Sequence, residues 1–65
     1  AARGAGIGRA LMDALEQQAR VAGLQRVKLS AQSEVVSFYL RLGYTAYGEE
    51  FLEANIRHRW MEKML

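Results

Sequence analysis

From Ile7 the apolar residues Leu11, Leu15 and Ala19 recur at every fourth position, with Ala10, Ala14 and Ala22 beside them. Arg9, Asp13, Glu16, Gln17 and Arg20 take the other positions. The pattern predicts an amphipathic helix with one buried stripe and one wet face. Arg9 with Asp13, and Glu16 with Arg20, are i,i+4 pairs of opposite charge that support it slightly. Gly23 predicts its stop, because glycine enters the left-handed conformation after a last turn without a Cβ penalty. "RVKLSA" then alternates, with Val27, Leu29 and Ala31 on one side and Arg26, Lys28 and Ser30 on the other, as a strand with one better-buried face does. "SEVVSFYLRLG" returns to helical spacing through Val35, Phe38 or Tyr39, and Leu42, with Ser33 as its N-cap and Gly43 as its stop. "YTAYGEEF" and "RHRWMEKML" read as two strands around a polar "LEANI" turn, although Met61 to Met64 would also suit a helix. Helix, strand, helix, strand, strand is an α/β order. It contains no repeat, linker or low-complexity segment.

The chain has 65 residues, 51% of them hydrophobic, with no Cys and no Pro. Such a length makes one domain at most, near the lower limit for a self-sufficient core, and disulfide staples are excluded. The first residue is Ala1 and a functional-looking stretch begins at Arg3, so the expectation is a part, residues 1–65, of a larger domain. Nine Lys and Arg against seven Asp and Glu give a net charge of +2. That is too mild to argue for nucleic acid, and only "RHR" at 57–59 clusters positive charge. The lack of Cys fits a reducing compartment. No run reaches the roughly 18 apolar residues of a membrane span and nothing resembles a signal peptide, so a cytoplasmic location without a membrane partner is the expectation.

Chemistry gathers first in "RGAGIG", where Gly4, Gly6 and Gly8 fall within five positions ahead of the helix pattern. The first amides of a helix have no partner within it and carry the positive end of its dipole. A glycine loop feeding that end lets several N–H groups converge on one phosphate, to which Arg3 could add a cation. A flexible lead-in satisfies the same residue types. Two nucleotide-binding alternatives do not fit. No Lys-Ser/Thr follows the glycines as a P-loop requires, and Leu11 stands at the third glycine position of a dinucleotide fingerprint beginning at Gly6.

Together with "FYLRLGY" and "YGEEFLEANIRHRWM", this stretch resembles the GNAT superfamily of acetyl-CoA-dependent N-acetyltransferases. Arg3, Gly6 and Gly8 match the family's Arg/Gln-x-x-Gly-x-Gly/Ala loop. Phe38, Tyr39, Gly43 and Tyr44 match its Phe-Tyr-x-x-x-Gly-Phe/Tyr segment. Glu49, Glu53, Ile56, His58 and Met61 match the ending of a small bacterial subgroup. The resemblance covers nearly the whole chain, and the motifs keep the family's order and spacing. It implies the C-terminal half of a GNAT fold around a partial mixed sheet, with the family's central strand lying before the glycine loop and beside Val27 to Ala31. It further implies acetyl-CoA as cosubstrate, its pyrophosphate on the amides of Arg3, Gly4, Ala5, Gly6, Ile7 and Gly8, its pantetheine along Val27 to Ala31, and an amine as acceptor. Gln32 stands where many members carry an Asn that touches the cofactor. Tyr39 stands where many carry the phenol that protonates the departing thiolate, a role consistent with aminolysis of a thioester. An aromatic pair at helical spacing is also ordinary core packing, which is the reading for Phe38 and an alternative for Tyr39.

The remaining candidates are weaker. Asn55 and Arg57 replace the subgroup's Gly and Pro, and Asn keeps the left-handed conformation accessible. His58, the single histidine, reads as a hydrogen-bonded strand residue rather than a base or metal ligand, and no metal is expected. Glu49, Glu50 and Glu53 read as a solvated acidic turn, although they could bind an amine. Trp60, Met61 and Met64 are expected in the core. An exposed edge on the strand at Val27 to Ala31 would favour homo-oligomers or association with an N-terminal half. The alternative to an enzyme is a coenzyme A-binding remnant or interaction module without turnover.

Overall fold

The computed structural model describes residues 6–65 in full and residues 2–5 as backbone only; the expectations for the side chains of Arg3, Gly4 and Ala5 lie outside the described residues. Helix α1 spans Ala2–Val21, strand β1 Arg26–Gln32, a 3-10 turn Ser33–Val35, helix α2 Val36–Arg41, strand β2 Thr45–Glu53 and strand β3 Ile56–Met64. The order is helix, strand, helix, strand, strand, as the pattern predicts. Residues 61–64 resolve as strand.

The sheet has the order β1-β3-β2, with both ladders antiparallel. A mixed sheet was expected, and the difference has a simple cause. β1 and β2 run parallel to one another across α2, but a tight turn folds β3 back into the slot between them, so no parallel pair hydrogen-bonds. That turn is Ala54-Asn55, with φ of 53° and 62°. Two positive φ values match the right-handed twist of flanking strands in a two-residue hairpin, and Asn tolerates them better than Ala. Between Tyr47↔Trp60 and Phe51↔His58 the register shifts at a bulge. There Gly48 takes φ 73°, and Arg59 Nη2 donates to its carbonyl at 2.7 Å.

Both helices end the same way. Leu24 N–H bonds to Ala19 O and Gly23 N–H to Arg20 O; Tyr44 N–H bonds to Tyr39 O and Gly43 N–H to Leu40 O. Gly23 at φ 82° and Gly43 at φ 96° turn the chain in each case, the paired bonds that satisfy a helix's last carbonyls. Ser33, in contrast, does not cap α2. The chain first makes a 3-10 turn, the α2 N-cap is Val35 without a side-chain bond, and Ser33 Oγ donates instead to Glu50 Oε2 at 2.6 Å.

The core is Ala31, Tyr44 and Met61, with Met12 of α1, Val27 and Leu29 of β1, and Val36, Tyr39 and Leu42 around α2 packed against it. Both helices therefore cover the sheet face carrying Met61 and Lys63. Trp60, His58, Tyr47 and Phe51 lie on the other face, where Trp60 stacks on Phe51 and Phe51 on His58. This corrects two core expectations: Met61 is 0% exposed, but Trp60 is 44% exposed and Met64 more so. Strand alternation puts Met61 and its neighbour Trp60 on opposite faces.

The stripe on α1 is also corrected. Ile7, Leu11 and Leu15 are exposed, Leu11 to 66%, while Glu16 and Ala19 are buried and Met12 reaches the core. α1 is rotated so that Gly8, Met12, Glu16 and Ala19 face the rest of the chain, because two side chains elsewhere bond Glu16. Among the described residues β1 has no partner on its outer edge, and the exposed leucines Leu15 and Leu24 flank a shallow hollow beside it. Among the described residues no helix is long and apolar enough to cross a membrane.

Candidate functional site

Gly6 and Gly8 lie within α1, not in a loop ahead of it. Glycine adopts helical dihedrals at a cost of about 1 kcal/mol relative to Ala, so these positions are permitted in a helix but hold it weakly. Their surroundings differ. A Cβ on Gly6 would meet nothing within 4 Å, whereas one on Gly8 would stand 3.1 Å from Cζ of the Phe38 ring. Gly8 thus faces α2 at the Phe38 ring, which brings the glycine end of α1 against "FYLRLGY". Ile7 is exposed on the same end of α1.

Phe38 and Tyr39 meet edge to face with centroids 5.1 Å apart, and Tyr39 meets Tyr44 likewise at 5.7 Å. The Tyr39 ring is half-buried against the core, and its hydroxyl has no hydrogen-bond partner among the described residues. Packing fixes the ring while leaving the phenol available. Gln32, the last residue of β1, is exposed where the strand turns toward α2. It lines a hollow of about 320 Å³ with Ser33, Glu34, Asn55, Ile56 and Arg57. The structure therefore gathers Gly8, Phe38 and Tyr39 directly, with Gln32 at the end of the strand leading into α2.

The acidic trio divides. Glu50 accepts from Ser33 and lies 3.8 Å from Arg57 Nε, Glu53 lies 3.6 Å from His58 Nε2, and Glu49 is exposed. His58 is buried, and its Nδ1 donates to Ile56 O at 2.7 Å, a carbonyl being only an acceptor. It is the hydrogen-bonded strand residue expected. Among the described residues no group of three His, Cys, Asp or Glu could hold a metal ion.

Sequence reasoning missed a buried polar cluster under α2. Glu16, 3% exposed, accepts from the Tyr44 hydroxyl at 2.8 Å and from Lys63 Nζ at 2.9 Å, with Arg20 4.0 Å away. Lys63 Nζ also donates to Leu42 O at 2.7 Å. Burial would raise the Glu16 pKa, but the bonds from Lys63 and Tyr44 and the charges of Lys63 and Arg20 outweigh it and hold the carboxyl below its usual 4.5. Burial, then the bond and charge of Glu16, push the Tyr44 phenol well above its usual 10.0. The partners are 28 and 47 residues from Glu16, so no local pattern signals them.

These shifts set a pH profile of stability. Glu16, depressed when folded, contributes stability present above about pH 4.5 and lost as pH falls through its folded value. Tyr44, raised when folded, contributes stability present below about pH 10 and lost as pH rises beyond it. Urea midpoints followed from acid to alkaline pH should show both limbs, and Tyr44→Phe should flatten the alkaline one. Identical alkaline limbs in the two proteins would refute the Tyr44 contribution.

Comparison with known proteins gives a consistent result. The family model described as an acetyltransferase (GNAT) domain matches residues 1–65. An uncharacterized N-acetyltransferase of Bacillus subtilis, YjcF, is 44% identical over 62 residues, which are 94% of this chain and 44% of that protein. The uncharacterized protein YyaT of the same organism is 36% identical over 58 residues, 89% of this chain and 39% of its own length. The crystal structure of an acyl-CoA N-acyltransferase from Pseudomonas aeruginosa superposes with a TM-score of 0.83 at 37% identity, covering 89% of this chain and 40% of that one. The chain thus spans about two fifths of the length of the relatives it matches.

Proposed function

Because the chain belongs to the GNAT acetyltransferase family, we propose that it forms the coenzyme A-facing part of an N-acetyltransferase that moves acetyl from acetyl-CoA to a primary amine. The observation that carries this reading is the approach of the glycine end of α1 to α2 at Gly8 and Phe38, whose ring meets that of Tyr39 edge to face. Acetyl-CoA supplies an acyl group activated as a thioester.

The residues fit such a cosubstrate on one condition. Inside a helix the amides of Gly6 and Gly8 bond back along the chain, so a pyrophosphate cradle requires the first turns of α1 to open. Glycines lower the cost of that opening by about 1 kcal/mol each, and the space over Gly6 is empty. Anionic charge then meets the positive end of the shortened helix, with Arg3 adding a cation. Gln32 holds the cofactor arm by hydrogen bonds. As the amine nitrogen bonds to the acetyl carbon and the carbon–sulfur bond breaks, Tyr39 would give its proton to the thiolate sulfur, and the proton shed by the amine nitrogen would pass to water, from which the Tyr39 phenolate recovers one.

Thiol release from acetyl-CoA with a panel of amines, with mass detection of the acetylated amine, tests the assignment. Release coupled to amine acetylation supports it. Coenzyme A binding without release supports the second reading, a non-catalytic binding module. Gly6→Val is the cleaner probe of the cradle, since a Cβ there meets nothing within 4 Å among the described residues, whereas Gly8→Val also strikes Phe38. Calorimetric titration should show Gly6→Val weakening coenzyme A by about 10-fold or more, and more than Arg3→Ala does, because it blocks close approach and stiffens the helix that must open. Unchanged affinity would mean the anion is held elsewhere.

A further inference from the structure

α2 is a six-residue helix without a side-chain N-cap. A helix of fewer than two turns has no stability of its own, so its direction is decided by what grips its ends. Its C-terminal end is gripped from three directions. Lys63 of β3 donates to the carbonyl of Leu42, the α2 C-cap, one of the acceptors a helix leaves unpaired and the place where its dipole favours a cation. The same ammonium bonds Glu16 of α1. The other oxygen of Glu16 takes the Tyr44 hydroxyl, and Tyr44 N–H in turn bonds the carbonyl of Tyr39 while its ring meets the Tyr39 ring edge to face.

We propose that Glu16, Tyr44 and Lys63 form a clamp that fixes α2 against α1 and β3 and thereby aims the Tyr39 phenol toward the glycine end of α1. All three are positioning residues, and their purpose rests on the acyltransferase reading of Tyr39. A buried carboxylate is a poor source of stability, because desolvation cancels much of its attraction to partners; what directional bonds add is one arrangement over others. Leucine at Glu16 would fill the space with no preference for the angle of α2. Gly43 belongs to the same device: a Cβ there would stand 3.3 Å from Lys63 Cε, on the path by which Lys63 reaches Leu42.

The test compares Lys63→Met, Lys63→Arg and Tyr44→Phe with Ala46→Gly, a control at a core-lining position whose side chain makes none of the clamp's hydrogen bonds. Amide exchange in this chain reads the clamp directly. In Lys63→Met the amides of Leu42, Gly43 and Tyr44 should exchange about 10-fold faster or more relative to those of the β2–β3 ladder, and the cross-peaks between the Tyr39 and Tyr44 rings should weaken. Lys63→Arg, which keeps the cation, should restore much of the difference. Ala46→Gly should raise both sets of rates together. Tyr44→Phe, which removes one hydroxyl, should give a smaller effect of the same kind and serves if Lys63→Met does not fold. Parallel rises in all variants would overturn the clamp, whatever happens to turnover. Thiol-release kinetics then read its purpose: kcat should fall with the KM for acetyl-CoA little changed. Selective loosening of α2 with unchanged kcat would keep the clamp and overturn the role assigned to Tyr39.

Discussion

Tyr39→Phe should lower turnover by roughly 10²-fold or more while leaving the affinity for acetyl-CoA nearly unchanged. The substitution keeps the ring, and the ring makes the contacts: Phe38 on one edge, Tyr44 on the other, the core beneath. The hydroxyl bonds nothing among the described residues, so removing it strands no buried partner. What disappears is a proton donor beside the departing sulfur. If that proton is transferred in the rate-limiting step, saturating both substrates cannot restore the rate, and the loss falls on kcat. Thiolate leaves more readily than an amine would, which sets the expectation at the lower end of general-acid effects. Kinetics at saturation in both substrates make the measurement. Unchanged kcat with a raised KM for acetyl-CoA would reduce Tyr39 to a packing residue.

Met61→Ala should cost about 2–5 kcal/mol, the range for truncating a fully buried Met. Met61 is 0% exposed in the central strand, paired across one ladder with Leu29 and across the other with Ala46, and it forms one buried cluster with Ala31 and Tyr44. A chain of this size has a total stability of roughly 3–10 kcal/mol. The variant should therefore lose much of its cooperative transition or unfold outright. Met64→Ala, three residues on and exposed, should stay within about 0.5 kcal/mol of the parent. Urea unfolding of the pair reads the contrast directly. Equal midpoints would show that the core is not centred on β3.

What was legible in the sequence is what is decided locally. Gly23 and Gly43 mark both helix ends because the left-handed residue and its two bonds lie within six positions of chain. The alternation of Val27, Leu29 and Ala31 likewise needs only the pleat of one strand. The family motifs singled out "RGAGIG" and "FYLRLGY" but not their contact, which comes from the packing of Gly8 on Phe38. The facing of α1 was misread because Ile7, Leu11 and Leu15 share one stripe, and periodicity records where apolar residues cluster but not which side has a neighbour. The inward face instead combines a glycine, a methionine, a carboxylate and an alanine. Its choice depends on Tyr44 and Lys63, which approach Glu16 only after the sheet has formed. Ser33 fits the composition of a cap, yet a carboxylate 17 residues away takes its hydroxyl.

The placement of β3 between β1 and β2 bears on how the chain leaves the ribosome. Synthesis is vectorial, and the strand that must join the other two is the last of the three to be made. Until it emerges, β1 and β2 cannot be joined to one another, and neither Lys63 nor Met61 is present to draw α1 and α2 onto them. Early segments therefore wait as separate pieces whose apolar groups are open to chaperones and to other nascent chains. Stalled translation products ending before Ile56 should be unable to build either of the two ladders described here. Closure of this sheet waits for β3.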